Sequence, residues 1–387
     1  MSIQKKFLGQ RLKEARIYRD MTLEELHTFL GVSKQMISRY EQGLSVPTSE
    51  VIFKIVQALE FPRDYFFSLD KQNFFFGNSY FRSLLTTSQK EKQFQLSRIQ
   101  NIVSLRSFLE ETVEFPPLFL PEIDSRLTLE EKAIELRKNW NLGDAPIEDA
   151  VDLLENQGFV VTDLTLSSEN IDAFSQRVSV ENSNDVKNYF VVVLGNNKKS
   201  FYRRQFDAIH ELSHFILHEE LDHVEDKSSE TYKLMEKEAD QLAGEILLPR
   251  ASFGKDVSQN PLDLDYYREL KIKWHVSIAS MIVRARQLEI IDYDDFVKLW
   301  KKLSSRKWRK QEPLDDIVPI SMPIAFKEAF ELLFDEKIYT LDTLDKSYSN
   351  FSGRYLLYSE MERLLSLGEG FFSKYEENQK LVLLKRK

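Results

Sequence analysis

Five residues, His210-Glu211-Leu212-Ser213-His214, set the chemistry open to this chain. On a helix, positions i and i+4 share a face, so His210 and His214 can offer both imidazoles to one metal ion. Glu211 then stands beside that ion. In the HExxH pattern such a carboxylate takes a proton from a water whose pKa the ion has lowered, and the reaction implied is hydrolysis. Further along, Glu236-Lys237-Glu238-Ala239-Asp240 offers more carboxylates. Glu236 and Asp240 are again i and i+4, whereas Glu238 is rotated about 200° from Glu236, so only one of the two glutamates can face the ion. His218 lies eight positions beyond His210, which is about 12 Å along a helix axis. That is too far for both to hold one ion at about 2 Å each. A role facing substrate, or behind a ligand, suits it better.

These side chains need helices to carry them. Phe206, Ile209, Leu212, Phe215 and Ile216 wrap much of the first motif in apolar residues, so the spacing predicts a mostly buried helix over Arg203–Glu219. A second helix is expected over Thr231–Leu248, stopped by Pro249, with Ala239, Leu242, Ala243, Ile246 and Leu247 as its core face. Upstream come two helices, Leu129–Trp140 and Ile147–Gln157. Strand-like runs follow at Phe159–Leu164, Phe174–Val180 and Tyr189–Leu194, with Gly158 and Gly195-Asn196-Asn197 as turns.

The whole chain limits what kind of molecule this is. At 387 residues, two or three domains are the natural expectation. No cysteine is present, which removes disulfides and thiolate metal sites, so any zinc must be held by histidine and carboxylate. No run of eighteen apolar residues exists, and MSIQKKFLGQRLKEAR is charged where a signal peptide would be hydrophobic. A soluble cytoplasmic protein with no membrane partner is expected. The net charge of −9 argues against indiscriminate nucleic-acid binding, yet residues 1–68 carry ten Lys/Arg against eight Asp/Glu. That end is about +2 and the remainder about −11, so one end can approach DNA while the bulk does not.

The first sixty-five residues read as five short helices. Thr22 with Glu25 makes a capping box, Gly31 supplies a left-handed end, and Ser33 caps Lys34–Gln42, which Gly43 and Pro47 close. Two helices joined by Gly31-Val32-Ser33 form the tight angle of a helix-turn-helix. Phe74-Phe75-Phe76 and Tyr80-Phe81 are too aromatic for a solvated linker. Ser88–Glu114 reads as a long helix with Phe94, Ile99, Ile102, Val103, Leu105, Phe108 and Leu109 at helical spacing, ended by Pro116, Pro117 and Pro121. It is a candidate dimer element, and packing onto its own chain suits it equally. After Pro313, Ile324–Leu333 and Tyr358–Leu367 look helical and Tyr339–Tyr348 looks like a turn region. The basic run Lys298–Lys310 reads as a solvated surface.

Two families are resembled. Gly31-Val32-Ser33, Ile37-Ser38, Glu41, Gly43 and Pro47 look like the XRE (Cro/repressor-like) family over residues 8–67, with Leu23 where that family often has Gln. The resemblance implies that Leu26 and Ile37 are core and that Lys34, Gln35, Ser38 and Arg39 face the major groove of operator DNA. It also implies a homodimer on paired half-sites. The segments YRRQFDAIHELSHFILH, EKEADQLAGEILLP and LKIKWHVSIASMIVRARQLEII resemble the ImmA/IrrE metallopeptidases over about 128–300. Ser213 replaces the usual Gly between the histidines, and Leu242 stands where Phe is common. That resemblance implies a thermolysin-like Zn²⁺ site with His210, His214 and Glu236 as ligands and Glu211 as general base. Asp240 would accept the N–H of a ligand histidine and so fix its ring.

The expected fold is therefore multidomain. An all-α five-helix helix-turn-helix domain (1–67) and a helical linker (68–127) precede an α+β metallopeptidase domain (128–312) with a small sheet and the HExxH helix. A helical C-terminal region (313–387) follows. The expected function is a DNA-binding regulator carrying a zinc-dependent endopeptidase that cleaves a protein or peptide, such as a repressor, in stress or mobile-element control. The competing expectation is a transcription factor whose metallopeptidase fold senses a ligand or metal without turnover.

Overall fold

The computed structural model describes residues 6–81, 89–165, 173–182, 185–196, 200–218 and 229–376; Ser88, Asn197 and Glu219 lie outside the described residues. The chain divides into two units, one made of 1–73, 88–114 and 324–387, the other of 74–87 and 115–323. No described helix is long and apolar enough to cross a membrane.

The first unit begins with α1 (Gly9–Tyr18), α2 (Leu23–Leu30), α3 (Lys34–Glu41) and α4 (Ser49–Leu59). The fifth helix expected there is a 3-10 turn, Arg63–Phe67. Local chemistry sets the boundaries. Thr22 and Glu25 form a reciprocal capping box, and Gly31 ends α2 at φ 70°. The Ser33 hydroxyl accepts from Met36 N at 3.2 Å, and Thr48 accepts from Val51 N at 3.4 Å. Leu12, Leu26, Ile37, Ile55, Leu59 and Phe66 are buried. The long helix α5 (Gln89–Leu109) returns to this unit, with Ile99, Ile102, Val103, Phe108 and Leu109 buried.

The second unit opens with a strand, β1 (Asn73–Phe81), which enters it from Phe74 onward and which the sequence reading did not assign. Its aromatic run carries no alternation of apolar and polar residues. Then follow α6 (Leu129–Asn139), α7 (Ala150–Asn156), β2 (Val160–Leu164), β3 (Ala173–Asn182) and β4 (Asp185–Gly195). The strands form one mixed sheet in the order β1-β3-β4-β2. β2 runs parallel to β4, and β3 pairs antiparallel with it, placing Ser175 opposite Val192. After the sheet come α8 (Phe201–His218), α9 (Ser229–Leu247), α10 (Arg250–Val257), α11 (Leu264–Trp274), α12 (Ile278–Gln287) and α13 (Tyr293–Ser305).

α8 lies in the core made by Phe159, Val161, Ala173, Phe190, Val192 and Leu194 with Ile209, Leu212 and Phe215. Phe215 meets Phe190 edge-on at 4.6 Å between ring centres and Phe159 at 5.9 Å. Each such buried ring stabilises the arrangement by ~1.5–3 kcal/mol. Polar anchors fix the start of α8. Buried Arg204 pairs with Asp163 of β2 and donates to Gly195 O at 3.2 Å and Ser321 O at 3.0 Å. Fully buried Lys271 bonds Glu312 at 2.9 Å and Asp315 at 2.7 Å, and Asp315 accepts from Ser200 Oγ at 2.8 Å. Glu312 in turn accepts from the first amides of α12, Ile278 N at 2.7 Å and Ala279 N at 2.9 Å.

The chain then rejoins the first unit with α14 (Ala325–Asp335), α15 (Leu341–Ser352), α16 (Tyr358–Leu364) and a 3-10 turn, Phe372–Tyr375. The turn expected at Tyr339–Tyr348 is corrected: α15 runs through it, started by a capping box of Thr340 with Thr343. Threonine at the third position falls outside the Ser/Thr-x-x-Glu/Gln pattern by which such starts are recognised. Buried polar bonds join the pieces of this unit. Arg11 donates to Asp70 at 2.8 Å and Gly353 O at 3.2 Å, Arg354 donates to Asp70 at 2.8 Å and Asn101 at 2.9 Å, and Tyr18 donates to Glu360 at 2.8 Å. Gly353 sits at φ 75°, where a Cβ would lie 1.9 Å from Leu69 O. No other residue fits that approach.

Candidate metal centre

The periodicity that buries Ile209, Leu212 and Phe215 turns His210 and His214 toward α9. There Ala239, Leu242, Ala243 and Ile246 are fully buried, and two of these four are alanines, which lets the helices approach closely. Three groups converge as a result. His210 Nε2 lies 3.1 Å from His214 Nε2, and the Glu236 carboxylate lies 3.6 Å from the first and 3.3 Å from the second. All three potential ligand atoms fall within 4.8 Å of one another. Four tetrahedral ligands at zinc bond lengths sit about 3.3 Å apart, so the spacing fits one such ion.

The groups behind this trio are also ordered. Asp240 Oδ1 is 2.9 Å from His210 Nδ1. His214 Nδ1 is 3.1 Å from His218 Nδ1, and His218 Nε2 is 3.4 Å from Glu238 Oε2. Glu236 thus faces the histidine pair while Glu238 faces His218, as a 200° rotation requires. Ser213 donates to Ile209 O at 2.8 Å, so the hydroxyl that replaces glycine is satisfied inside α8.

Charge follows the geometry. Burial opposes a cation at His210, but Asp240 and Glu236 outweigh it and raise the imidazolium pKa to about 10. Burial would raise Glu236, yet its bonds to His210 and His214 hold it well below the usual carboxylate range. His214 is lowered, first by burial. His218 falls to about 4 through burial and the proximity of His214. Glu211 is enclosed, and burial pushes its carboxyl up to about 8 against the pull of His210. Its Oε2 accepts from Ser175 Oγ of β3 at 2.6 Å. Ser175 escaped the sequence reading: it lies in the strand-like run Phe174–Val180, where polar residues outnumber apolar ones and nothing local marks it.

On the other unit, Lys34, Gln35, Ser38 and Arg39 occupy one side of α3, at positions i, i+1, i+4 and i+5, opposite buried Ile37 and Tyr40. Lys34, Gln35 and Arg39 are exposed and Ser38 is partly so. Lys34 forms an ion pair with Glu24 of α2, and Arg39 Nε donates to Ser45 Oγ at 3.4 Å.

Residues 12–66 match a Helix-turn-helix family model, and residues 154–286 match the IrrE N-terminal-like domain. The chain joins an XRE-type helix-turn-helix domain to an ImmA/IrrE-like peptidase-family domain. Over 61 residues it is 38% identical to an uncharacterized transcriptional regulator in ATPase CF(0) region from Rhodospirillum rubrum. That match takes in 16% of this chain and 56% of the relative, so the chain spans little more than half of that relative's length. No solved structure matches the chain significantly. In this helix-turn-helix and IrrE-like chain, the matched segments contain α2 and α3 in one case and α8, α9 and the histidine–glutamate cluster in the other.

Proposed function

We propose that this chain is a cytoplasmic DNA-binding regulator whose IrrE-like domain is a zinc-dependent endopeptidase acting on a regulatory protein such as a repressor. The observation that carries the reading is the convergence of His210 Nε2, His214 Nε2 and the Glu236 carboxylate, with Glu211 next to the first of them. Two neutral imidazoles and a carboxylate are a recognised hydrolytic zinc set. When bound, zinc supplies Lewis acidity to the water and the scissile carbonyl. The remaining work belongs to the chain. Glu211 takes the proton of the attacking water and returns it to the leaving amine, with Ser175 Oγ donating to its Oε2 at 2.6 Å. Asp240 fixes the His210 ring from behind, 2.9 Å from Nδ1.

DNA reading is assigned to residues 1–67, with Gln35, Ser38 and Arg39 toward base edges and Lys34 toward phosphate. Hydrolysis is assigned to the domain at 128–312. The test is to incubate purified protein with candidate repressors and with itself, comparing wild type with Glu211→Gln at matched zinc content. Cleavage by wild type and none by the variant is expected. If both proteins bind zinc and neither cleaves, the site is a sensor and the peptidase reading is withdrawn.

A further inference from the structure

We infer that His218 is a positioning residue for the zinc site: it holds the ring of His214 through Nδ1, with Glu238 fixing His218 in turn. The inference rests on the zinc reading above and adds two residues to it. His210 and His214 both turn Nε2 toward Glu236, which leaves Nδ1 of each ring for a partner behind. For His210 that partner is Asp240, at 2.9 Å. For His214 it is His218 Nδ1, at 3.1 Å, on the same helix one turn later.

The direction of the proton chain follows from valence. A neutral imidazole that gives its Nε2 lone pair to a metal carries its proton on Nδ1, so His214 Nδ1–H donates. His218 Nδ1 must then accept, which puts the His218 proton on Nε2. That nitrogen lies 3.4 Å from Glu238 Oε2, a group able only to accept when ionised. Each step of the relay allows one tautomer. His218 has 3% of its side chain exposed, so Nδ1 is shielded from bulk water. His218 lies outside the group formed by His210, His214 and Glu236, and the geometry gives it this other use. Glu238, which competes with Glu236 on sequence grounds, also gains a reason to be where it is.

Partners behind metal-bound histidines typically change metal affinity by ~10–100-fold when removed. The experiment uses the full chain and zinc alone, with affinity measured by chelator competition. Wild type should bind one zinc, and His214→Ala should bind none. His218→Phe removes the acceptor and should bind one zinc with affinity lowered ~10–100-fold. His218→Gln should recover most of the loss, because its amide oxygen can accept from His214 while its amide N–H donates to Glu238. In zinc-loaded wild type, side-chain nitrogen NMR should find His218 protonated at Nε2 and bare at Nδ1. Unchanged affinity in His218→Phe, or a proton on His218 Nδ1, overturns the inference and leaves the zinc reading standing. Loss of all zinc from both His218 variants while their thermal unfolding matches wild type would make His218 a ligand and also overturn it. A wild type that takes up no zinc refutes the zinc reading itself, and the relay with it.

Discussion

At the scale of single residues, the ion-free site is a set of opposed charges that zinc would rearrange. His210 titrates near 10 because Asp240 and Glu236 more than offset its burial, so at neutral pH zinc must displace its proton. Zinc affinity should therefore rise about tenfold per pH unit below that value. Calorimetry in buffers of different ionisation enthalpy should detect the released proton, and a pH-independent affinity would contradict the assignment. Stability without zinc runs the opposite way with pH. A histidine raised from 6.5 to about 10 adds stability that is complete below 6.5 and lost as pH climbs through 10. Glu211, raised from 4.5 to about 8 by burial, makes the fold lose stability as pH rises across that interval. The gap in Tm between zinc-loaded and ion-free protein should widen from pH 6 toward pH 9. Ser175→Ala should keep zinc and lower the cleavage rate by about ten- to a hundredfold, the effect of losing a bond to a charged group. A rate equal to wild type would remove Ser175 from the mechanism.

At the scale of elements, helix boundaries written in familiar local patterns were legible, the Thr340–Thr343 start of α15 was local but of an unfamiliar pattern, and what needed distant partners was not legible. The capping box of Thr22, the Ser33 cap, Gly31, the HExxH spacing and the shared face of Glu236 and Asp240 are all written within a few residues of one another. The first three bound α2 and α3, and the last two lie on α8 and α9, where the candidate ligand atoms come within 4.8 Å of one another. β1 depends on pairing with β3, about a hundred residues away, and its Phe-rich segment holds no period of two. Ser175 gains meaning only when β3 is laid under α8. The Asp70 network joins Arg11 to Arg354 and no local signal announces it. Two predictions belong here. Gln35→Ala or Arg39→Ala in α3 should weaken specific operator binding by about 1–3 kcal/mol, while Lys34→Ala should mainly reduce its salt dependence. Equal operator titrations for all three variants would argue against α3 as the reading helix. Lys271→Ala strands Glu312 and Asp315 in the interior and should lower stability by about 3–5 kcal/mol in thermal or denaturant unfolding.

At the scale of the whole molecule, the helix-turn-helix match and the IrrE-like match fall in different units, and the chain passes between the units more than once. The helices after Ile324 share polar bonds with α1 and α5, through Arg11, Tyr18 and Asn101, so the C-terminal region is part of the unit that holds the helix-turn-helix. A chain ending at Pro323 should accordingly lose cooperative folding of that unit and its operator binding while still taking up zinc. Retention of full operator affinity by the shortened chain would show that 324–387 is dispensable to it. Zinc content of the full-length protein is the most direct test of the central claim, that His210, His214 and Glu236 build one zinc site on which the hydrolytic reading depends. One zinc per chain is expected for wild type and for Glu238→Gln, and none for Glu236→Gln; full zinc in Glu236→Gln with loss in Glu238→Gln would contradict it and reverse the roles given to Asp240 and His218.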